Sequence, residues 1–395
     1  MNKPSLQGHP LEPVLAAGGS AHALRQREAD TFANLSGGAN RAVIFGCGAL
    51  GRIILAGARR AGVIVSAFAD NNSALHGQEY EGIPILSPAD AVAELGRDAY
   101  FIVGVFNASA PSRQLRALGC ARIVPYAAFY WQFADSMADA PGIERPHLIA
   151  GRAEEICAGY DCLSDFKSRR EFAAQIATRY SLDFDQLPQP DDPAEIYFPR
   201  ELMRLCSDEV LVDCGAFDGD SIRLFRKWTS GQYRHIYACE PDASNRARLE
   251  GFIRSLRDGE PSRITVLPFA VGDRDGVVHF DASGTAGSHL TADNGMHAVD
   301  CRRLDTVLSD LSPTIVKMDI EGAEPSAIAG AKETIRRARP ILSVCAYHRC
   351  EHLWTLPLLM KAALPEYRIH LRRYAEECWE TVYYAVPPER AIQDA

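Results

Sequence analysis

Acidic residues and glycines come together at three points in the second half of this 395-residue chain. The run Asp213-Cys-Gly215-Ala-Phe-Asp218-Gly219 follows the apolar residues Val210-Leu-Val. Glycines let a chain turn sharply and let a ligand approach the backbone. An acid in such a turn suits a ligand carrying an ammonium and a sulfonium, and it repels a pyrophosphate. Glu240, followed by Pro241 and Asp242, ends the next apolar run, where a carboxylate can accept hydrogen bonds from both hydroxyls of a ribose. In VKMDIEGAEPSAIAGA, Asp319 ends an apolar run, and Glu321 and Glu324 crowd the start of a helix. Acids there also complement the helix dipole and cap free amides, and Pro325 suits a first helical turn. Asp319 lies where an acceptor must meet a cofactor. In this order the three points favour S-adenosylmethionine over NAD.

Enzymes that methylate the exocyclic amino groups of bases typically carry Asp or Asn followed by Pro-Pro-aromatic at the third of these points. Here Asp319-Ile-Glu321-Gly322 stands instead, which points to a hydroxyl acceptor. A hydroxyl needs its proton removed as the methyl group arrives, so a base or a metal must lie near the sulfonium. His348 has a suitable range of pKa and a suitable place at the end of an apolar strand. It is the expected base, assisted by Asp319, with Glu321 as the runner-up or as part of a metal site. His289 and His297 lie in the loop-rich insert SGTAGSHLTADNGMH, a candidate substrate lid. Cys345, His348, Cys350 and His352 also carry metal-ligand chemistry, but an apolar strand feeding a helix explains that segment equally well. No metal site is assigned, and a magnesium requirement is left open.

The elements that must position these groups read as alternating strands and helices, which implies a parallel, doubly wound sheet. EVLVD, HIYACEPD, RITVLPFAVGD, VVHF, TIVKMDIEG and ILSVCAYHR are its strands, and RIHLRRY with ETVYYAVP forms a terminal antiparallel pair. A separate unit of the same kind precedes it, with strands RAVIF, VIVSAFAD, YFIVGVF and RIVPY. Its Gly46-x-Gly48-x-x-Gly51 lies between strand and helix, with Asp70 ending the next strand. That is a dinucleotide fingerprint in its required setting. The expected fold is α/β, with two doubly wound, Rossmann-like domains joined by a helical connector. Residues 1–38 are a flexible leader, 39–134 a nucleotide-binding domain, 135–205 the connector and 206–395 the catalytic domain. Within the connector, AEEICAGY and KSRREFAAQIATRY have helical spacing, and a proline-rich stretch follows.

Net charge is −9, which argues against a nucleic-acid partner, since that would favour a basic footprint. No run is apolar enough for a signal peptide or membrane span. The 11 cysteines are scattered without a C-x-x-C pair, as in a cytoplasmic protein with reduced thiols. The oligomeric state is left open.

Residues about 207–390 resemble the FkbM family of methyltransferases. VKMDIEGAE, FAVGD, CRRLDTVL with PTIVK, and VDCGAFDGDS carry the likeness, and YFP and SVCAYHR are similar to a longer two-domain subgroup. The resemblance implies a class I methyltransferase sheet and O-methylation of sugars, glycans or polyketide-type hydroxyls. It implies that Asp213, Gly215, Asp218, Gly219 and Glu240 hold the cofactor, with Phe269 to Asp273 beside its adenine. Cys345 departs from the pattern, because many relatives carry a glutamate there. The first unit resembles, less specifically, small nucleotide-sugar-binding domains fused to sugar acetyltransferases, through ADNN and EGIPILSP. Gly46, Gly48, Gly51 and Asp70 would then hold a nucleotide or nucleotide-sugar. Two other readings stand beside this one. One is an NAD-dependent oxidoreductase acting on a nucleotide-sugar, which lacks a convincing Tyr-x-x-x-Lys pair. The other is a non-catalytic nucleotide-binding scaffold.

Overall fold

The computed structural model describes residues 7–17, 19–30, 35, 41–105, 108–133, 136, 144–181, 184–257, 259–280, 290–291 and 297–392. It divides into two units. The first holds residues 1–154 and 173–189, and the second holds 155–172 and 190–395.

In the first unit, β1 (Ala42–Phe45) is buried along its whole length. The other strands are β2 (Val65–Ala69), β3 (Glu79–Tyr80), β4 (Ile83–Leu86), β5 (Tyr100–Val103) and β6 (Arg122–Pro125). The sheet order is β3-β4-β2-β1-β5-β6. Every pairing is parallel except β3 with β4. A sheet with apolar residues on both faces has to be covered on both, and the residues of the core do this in two clusters. The glycine turn lies between β1 and the helix Ala49–Arg60. The leader read as flexible contains the helices Glu12–Ala17 and Ala21–Asp30, with Leu11 and Leu24 buried. The stretch 135–205 carries the helices Ala153–Asp161 and Phe166–Ser181 and is divided between the two units.

In the second unit the strands are β7 (Val210–Cys214), β8 (His235–Cys239), β9 (Ile264–Leu267), β10 (Ala270–Val271), β11 (Gly276–Phe280), β12 (Leu290–Thr291), β13 (His297–Arg302), β14 (Ile315–Met318), β15 (Ile341–Cys345), β16 (Arg368–Arg373) and β17 (Thr381–Val386). The main sheet has the order β16-β17-β15-β14-β7-β8-β9. Only β17 runs against its neighbours. The strands β7, β14, β15 and β17 are buried at every residue, so the apolar runs of the sequence mark the middle of the sheet. A smaller sheet, β10-β13-β11-β12, was not anticipated. Of the proposed lid, His289 lies outside the described residues, and His297 opens β13 without a described side chain. Among the described residues no helix is long and apolar enough to cross a membrane.

Candidate functional site

A parallel sheet aims the carboxyl ends of its strands at one edge, and ligands bind there. At that edge of the second unit lies a cavity of about 380 Å³. The ends of β7, β8 and β14 contribute Gly215, Phe217, Asp220, Glu240, Asp319 and Glu321. Phe269, Ala270 and Val271 line it beyond β9, and Tyr347, Tyr374 and Glu380 beyond β15 and around β17.

The turn after β7 is shaped by contact with β14. Gly215 has φ 79°, and a Cβ there would lie 1.9 Å from the Asp319 carbonyl oxygen. No other residue fits so close an approach. Glu240 is buried, and burial pushes its carboxyl up. Its two oxygens accept from the amides of Phe217 at 2.8 Å and Asp242 at 2.9 Å. A carboxylate has about four acceptor positions, so capacity remains for ligand hydroxyls. Asp242 is the helix cap, accepting from the Asn245 amide at 2.8 Å.

Other residues assigned to the cofactor lie elsewhere. Asp213 is fully buried beneath the turn, in register with Lys317 on β14. Its carboxylate is 3.0 Å from the Lys317 ammonium and also accepts from the Ser221 hydroxyl. Burial alone would lower Lys317, but Asp213 and Asp319 raise it above the usual lysine range, so it stays charged. Lys317 also donates to the Gly215 carbonyl at 2.7 Å. Asp213 therefore braces the loop from below. Asp218 is turned to Arg223 at 2.8 Å. Gly219 has φ 92°, and a Cβ there would meet the Phe252 ring at 2.7 Å. Its glycine serves the packing of the helix Ala243–Arg254. Asp273 is exposed, with its amide on the Ser326 hydroxyl at 3.0 Å. Only Phe269 to Val271 of that stretch reach the cavity.

The acid–base group is tightly connected. Asp319 accepts from the Tyr197 hydroxyl at 2.7 Å and the Tyr347 hydroxyl at 3.3 Å, and lies 3.1 Å from His348 Nε2. Burial would raise its carboxyl, but His348 and Lys317 hold it well below the usual range. His348 Nδ1 is 2.9 Å from the fully buried Glu324. Burial would lower the imidazole, yet Glu324 and Asp319 push it well above its ordinary value. These acids favour the charged form of His348, and it does not line the cavity. Glu324 also accepts from the amides of Ile320 and Gly322, at 3.1 and 3.4 Å, and it faces His352 at 3.4 Å. It fixes the loop after β14 more than it caps a helix. Glu321, with φ 55°, lines the cavity 3.6 Å from His348 Nε2. Burial and the neighbouring acids push it up to about 7. Among the described residues no group of three or more His, Cys, Asp or Glu is placed to hold a metal.

Sequence reasoning missed Tyr197, Tyr347, Lys317, Asp220 and Glu380. Tyr197 was visible only as part of YFP; its backbone, at φ 69°, is tied to the sheet by the Tyr384 and Ser343 hydroxyls.

In the first unit, a Cβ on Gly51 would lie 1.9 Å from the Gly46 carbonyl oxygen, whereas one on Gly48 would meet nothing within 4 Å. Asp70 accepts from the amides of Cys47 and Asn72, both at 2.8 Å. The four fingerprint residues therefore form one turn, with Asp70 bonded to the loop itself.

Residues 213–367 match the model of the Methyltransferase FkbM domain. The 2-O-methyltransferase NoeI of Sinorhizobium fredii (strain NBRC 101917 / NGR234) is 28% identical over 33% of this chain. The match spans 61% of that relative's length. The crystal structure of Methyltransferase FkbM from Methylobacillus flagellatus KT superposes with a TM-score of 0.78 at 25% identity, covering 95% of this chain and 99% of that one. The part of the chain that forms most of the cavity described above is thus similar to a methyltransferase domain of the FkbM family.

Proposed function

We propose that the protein transfers a methyl group from S-adenosylmethionine to a hydroxyl of a sugar, glycan or polyketide-type small molecule. The observation that carries this is a single cavity with two chemistries. Glu240, Phe217 and Phe269 offer a ribose acceptor and aromatic surfaces for an adenosine, on the β8 side of β7. Asp319, Glu321 and Tyr347 offer hydrogen bonds and a proton acceptor, on the β14 side. Gly215 and Glu240 would hold the cofactor, which supplies an electrophilic methyl group when bound. The chain's own task is then to orient a hydroxyl and take its proton. Asp319, kept anionic, orients it, and Glu321, with a pKa near neutrality, suits the base. The relative named as a 2-O-methyltransferase favours oxygen as the accepting atom.

The first unit, read as a Rossmann-like domain, would hold a nucleotide or nucleotide-sugar at Gly46, Gly48, Gly51 and Asp70. None of the eleven cysteines is in a disulfide, which supports a cytoplasmic setting. The test is incubation of labelled adenosylmethionine with a panel of nucleotide-sugars and glycans, with magnesium and with chelator. Label is expected in an acceptor as an ether. Absence of adenosylmethionine binding by calorimetry, with no transfer across the panel, would overturn the reading.

A further inference from the structure

Of the five carboxyls that line the cavity, those of Asp220, Glu240, Asp319, Glu321 and Glu380, the last three concern the acceptor part. Asp319 and Glu321 follow β14, whereas Glu380 ends the turn between β16 and β17. Asp319 is committed to His348 and two tyrosine hydroxyls, so it holds a proton poorly. Glu321 has only its 3.6 Å approach to His348. Burial and the charges of Asp319 and Asp220 act on Glu380, and no hydrogen bond to its carboxyl is seen among the described residues.

The chain bends itself to put Glu380 there. Its φ is 51°, and Glu377 in the same turn is at 59°. Such a conformation is strained for a non-glycine residue and persists only where the surroundings impose it. Here the Glu380 carbonyl accepts from the Tyr374 amide at 3.1 Å. Trp379 packs edge-on against Tyr347, with centroids 6.2 Å apart. Turn and cavity wall are thereby locked together.

We propose that Glu380 is a further catalytic residue, which shares one proton with Glu321 across the acceptor part of the cavity. This rests on the methyl-transfer reading above. The ionised member of the pair takes the acceptor's hydroxyl proton while the oxygen lone pair bonds to the methyl carbon. The carbon–sulfur bonding pair stays on sulfur, leaving a neutral thioether. The protonated member donates a hydrogen bond to a second oxygen of the acceptor.

The charges around the pair agree with this. Asp319 and Asp220 disfavour ionisation of Glu380, and His348 and Lys317 favour it; with burial as the largest influence, the balance leaves it at about 7. Glu380 is in turn one of the charges that raise Glu321. Tyr197, Tyr347, Tyr374, Cys345 and Glu324 are further titratable groups around the pair.

Infrared titration of the full chain reads the protonated-carboxyl band without needing turnover. Two coupled steps near neutrality are expected, and in Glu380→Gln the remaining step should move to lower pH by about one unit, as loss of a like charge favours ionisation. With an acceptor from the panel, the acid limb of kcat/KM should move the same way, with turnover down ~100-fold and adenosylmethionine affinity kept. Should Glu380→Gln fail to fold, Glu380→Asp keeps the charge and is expected to titrate near neutrality while losing turnover. Normal cofactor affinity, with both the band and the acid limb unmoved in the folded variant, would overturn the role of Glu380 alone. Failure of adenosylmethionine to bind the wild type would overturn the methyl-transfer reading and the catalytic role with it.

Discussion

Two carboxylates, one at each nitrogen, favour the protonated form of an imidazole, which has no lone pair to offer an incoming proton. His348 is in that position, 2.9 Å from Glu324 and 3.1 Å from Asp319. Its pKa is raised above 6.5, so the stability it contributes is full below 6.5 and is lost as pH rises through the raised value. Glu324 is lowered from 4.5, so its contribution is full above 4.5 and is lost as pH falls through the lowered value. The pair is therefore intact from about pH 4.5 to 6.5 and on into the neutral range. Breaking a buried pair by removing one partner costs about 3–5 kcal/mol. Glu324→Ala should show a loss of that size in urea unfolding at pH 6, shrinking in acid below the lowered Glu324 value. A second expectation separates the two candidate bases. His348 lowers the pKa of Glu321, so His348→Ala should move the acid limb of the rate profile to higher pH. Were His348 itself the base, that limb would vanish instead. Residue type alone made the histidine the obvious candidate. Asp319 was expected beside it, but Glu324, which holds its other nitrogen, could not be read from spacing.

Glycines at the ends of β7 and β1 carry the next test, because the same motif letters do different work in each. Gly215 is pressed against the Asp319 carbonyl and Gly51 against the Gly46 carbonyl, while Gly48 faces open space. A methyl group on Gly215 must push the cofactor turn away from β14. Gly215→Ala should therefore lose adenosylmethionine affinity and lower the melting temperature together. Gly51→Ala should destabilise the first unit, since overpacking typically costs about 1–3 kcal/mol. Gly48→Ala should stay within about 0.5 kcal/mol of wild type, as substitutions away from packed features do. A loss of nucleotide affinity in Gly48→Ala, read by calorimetry with unchanged melting, would mark the backbone there as ligand-facing. Alternating apolar runs made the strands of both large sheets legible apart from β3 and β4, and glycines made their turns legible. The roles of Asp213 and Gly219 were not legible, because each depends on a partner from another element, Lys317 in register on β14 and Phe252 on a neighbouring helix. The small sheet was hidden for a related reason. Its strands β10 and β12 have two residues each, too few for a period to show.

Composition and pattern divide a chain into consecutive pieces, but this one returns to a unit it has left. The boundary passes at 154/155, 172/173 and 189/190, within a stretch read as a connector. Residues 173–189 belong to the first unit, and they bring Tyr180, Ser181, Phe184 and Asp185 to a cavity shared with Ser112, Arg116 and Trp131. The Trp131 indole also donates to the Glu144 carbonyl at 3.0 Å. A fragment ending near 135, the boundary that the sequence alone favours, leaves that indole without its acceptor and that cavity without one wall. Losing a buried hydrogen-bond partner costs about 1–3 kcal/mol, and burial of the aromatic side chains is forfeited besides. Small domains keep only about 5–15 kcal/mol in all, so the shorter fragment should melt at lower temperature and less cooperatively than one carried to residue 189. Nucleotide binding to the first unit is therefore best measured on the full chain, where a ligand that binds the native state raises the melting temperature. Equal, cooperative melting of fragments 1–135 and 1–189 would show that the returning segment adds nothing to the first unit. A higher melting temperature for 1–189 than for a fragment ending at 154 would establish that the first unit is assembled from two separate stretches of the chain.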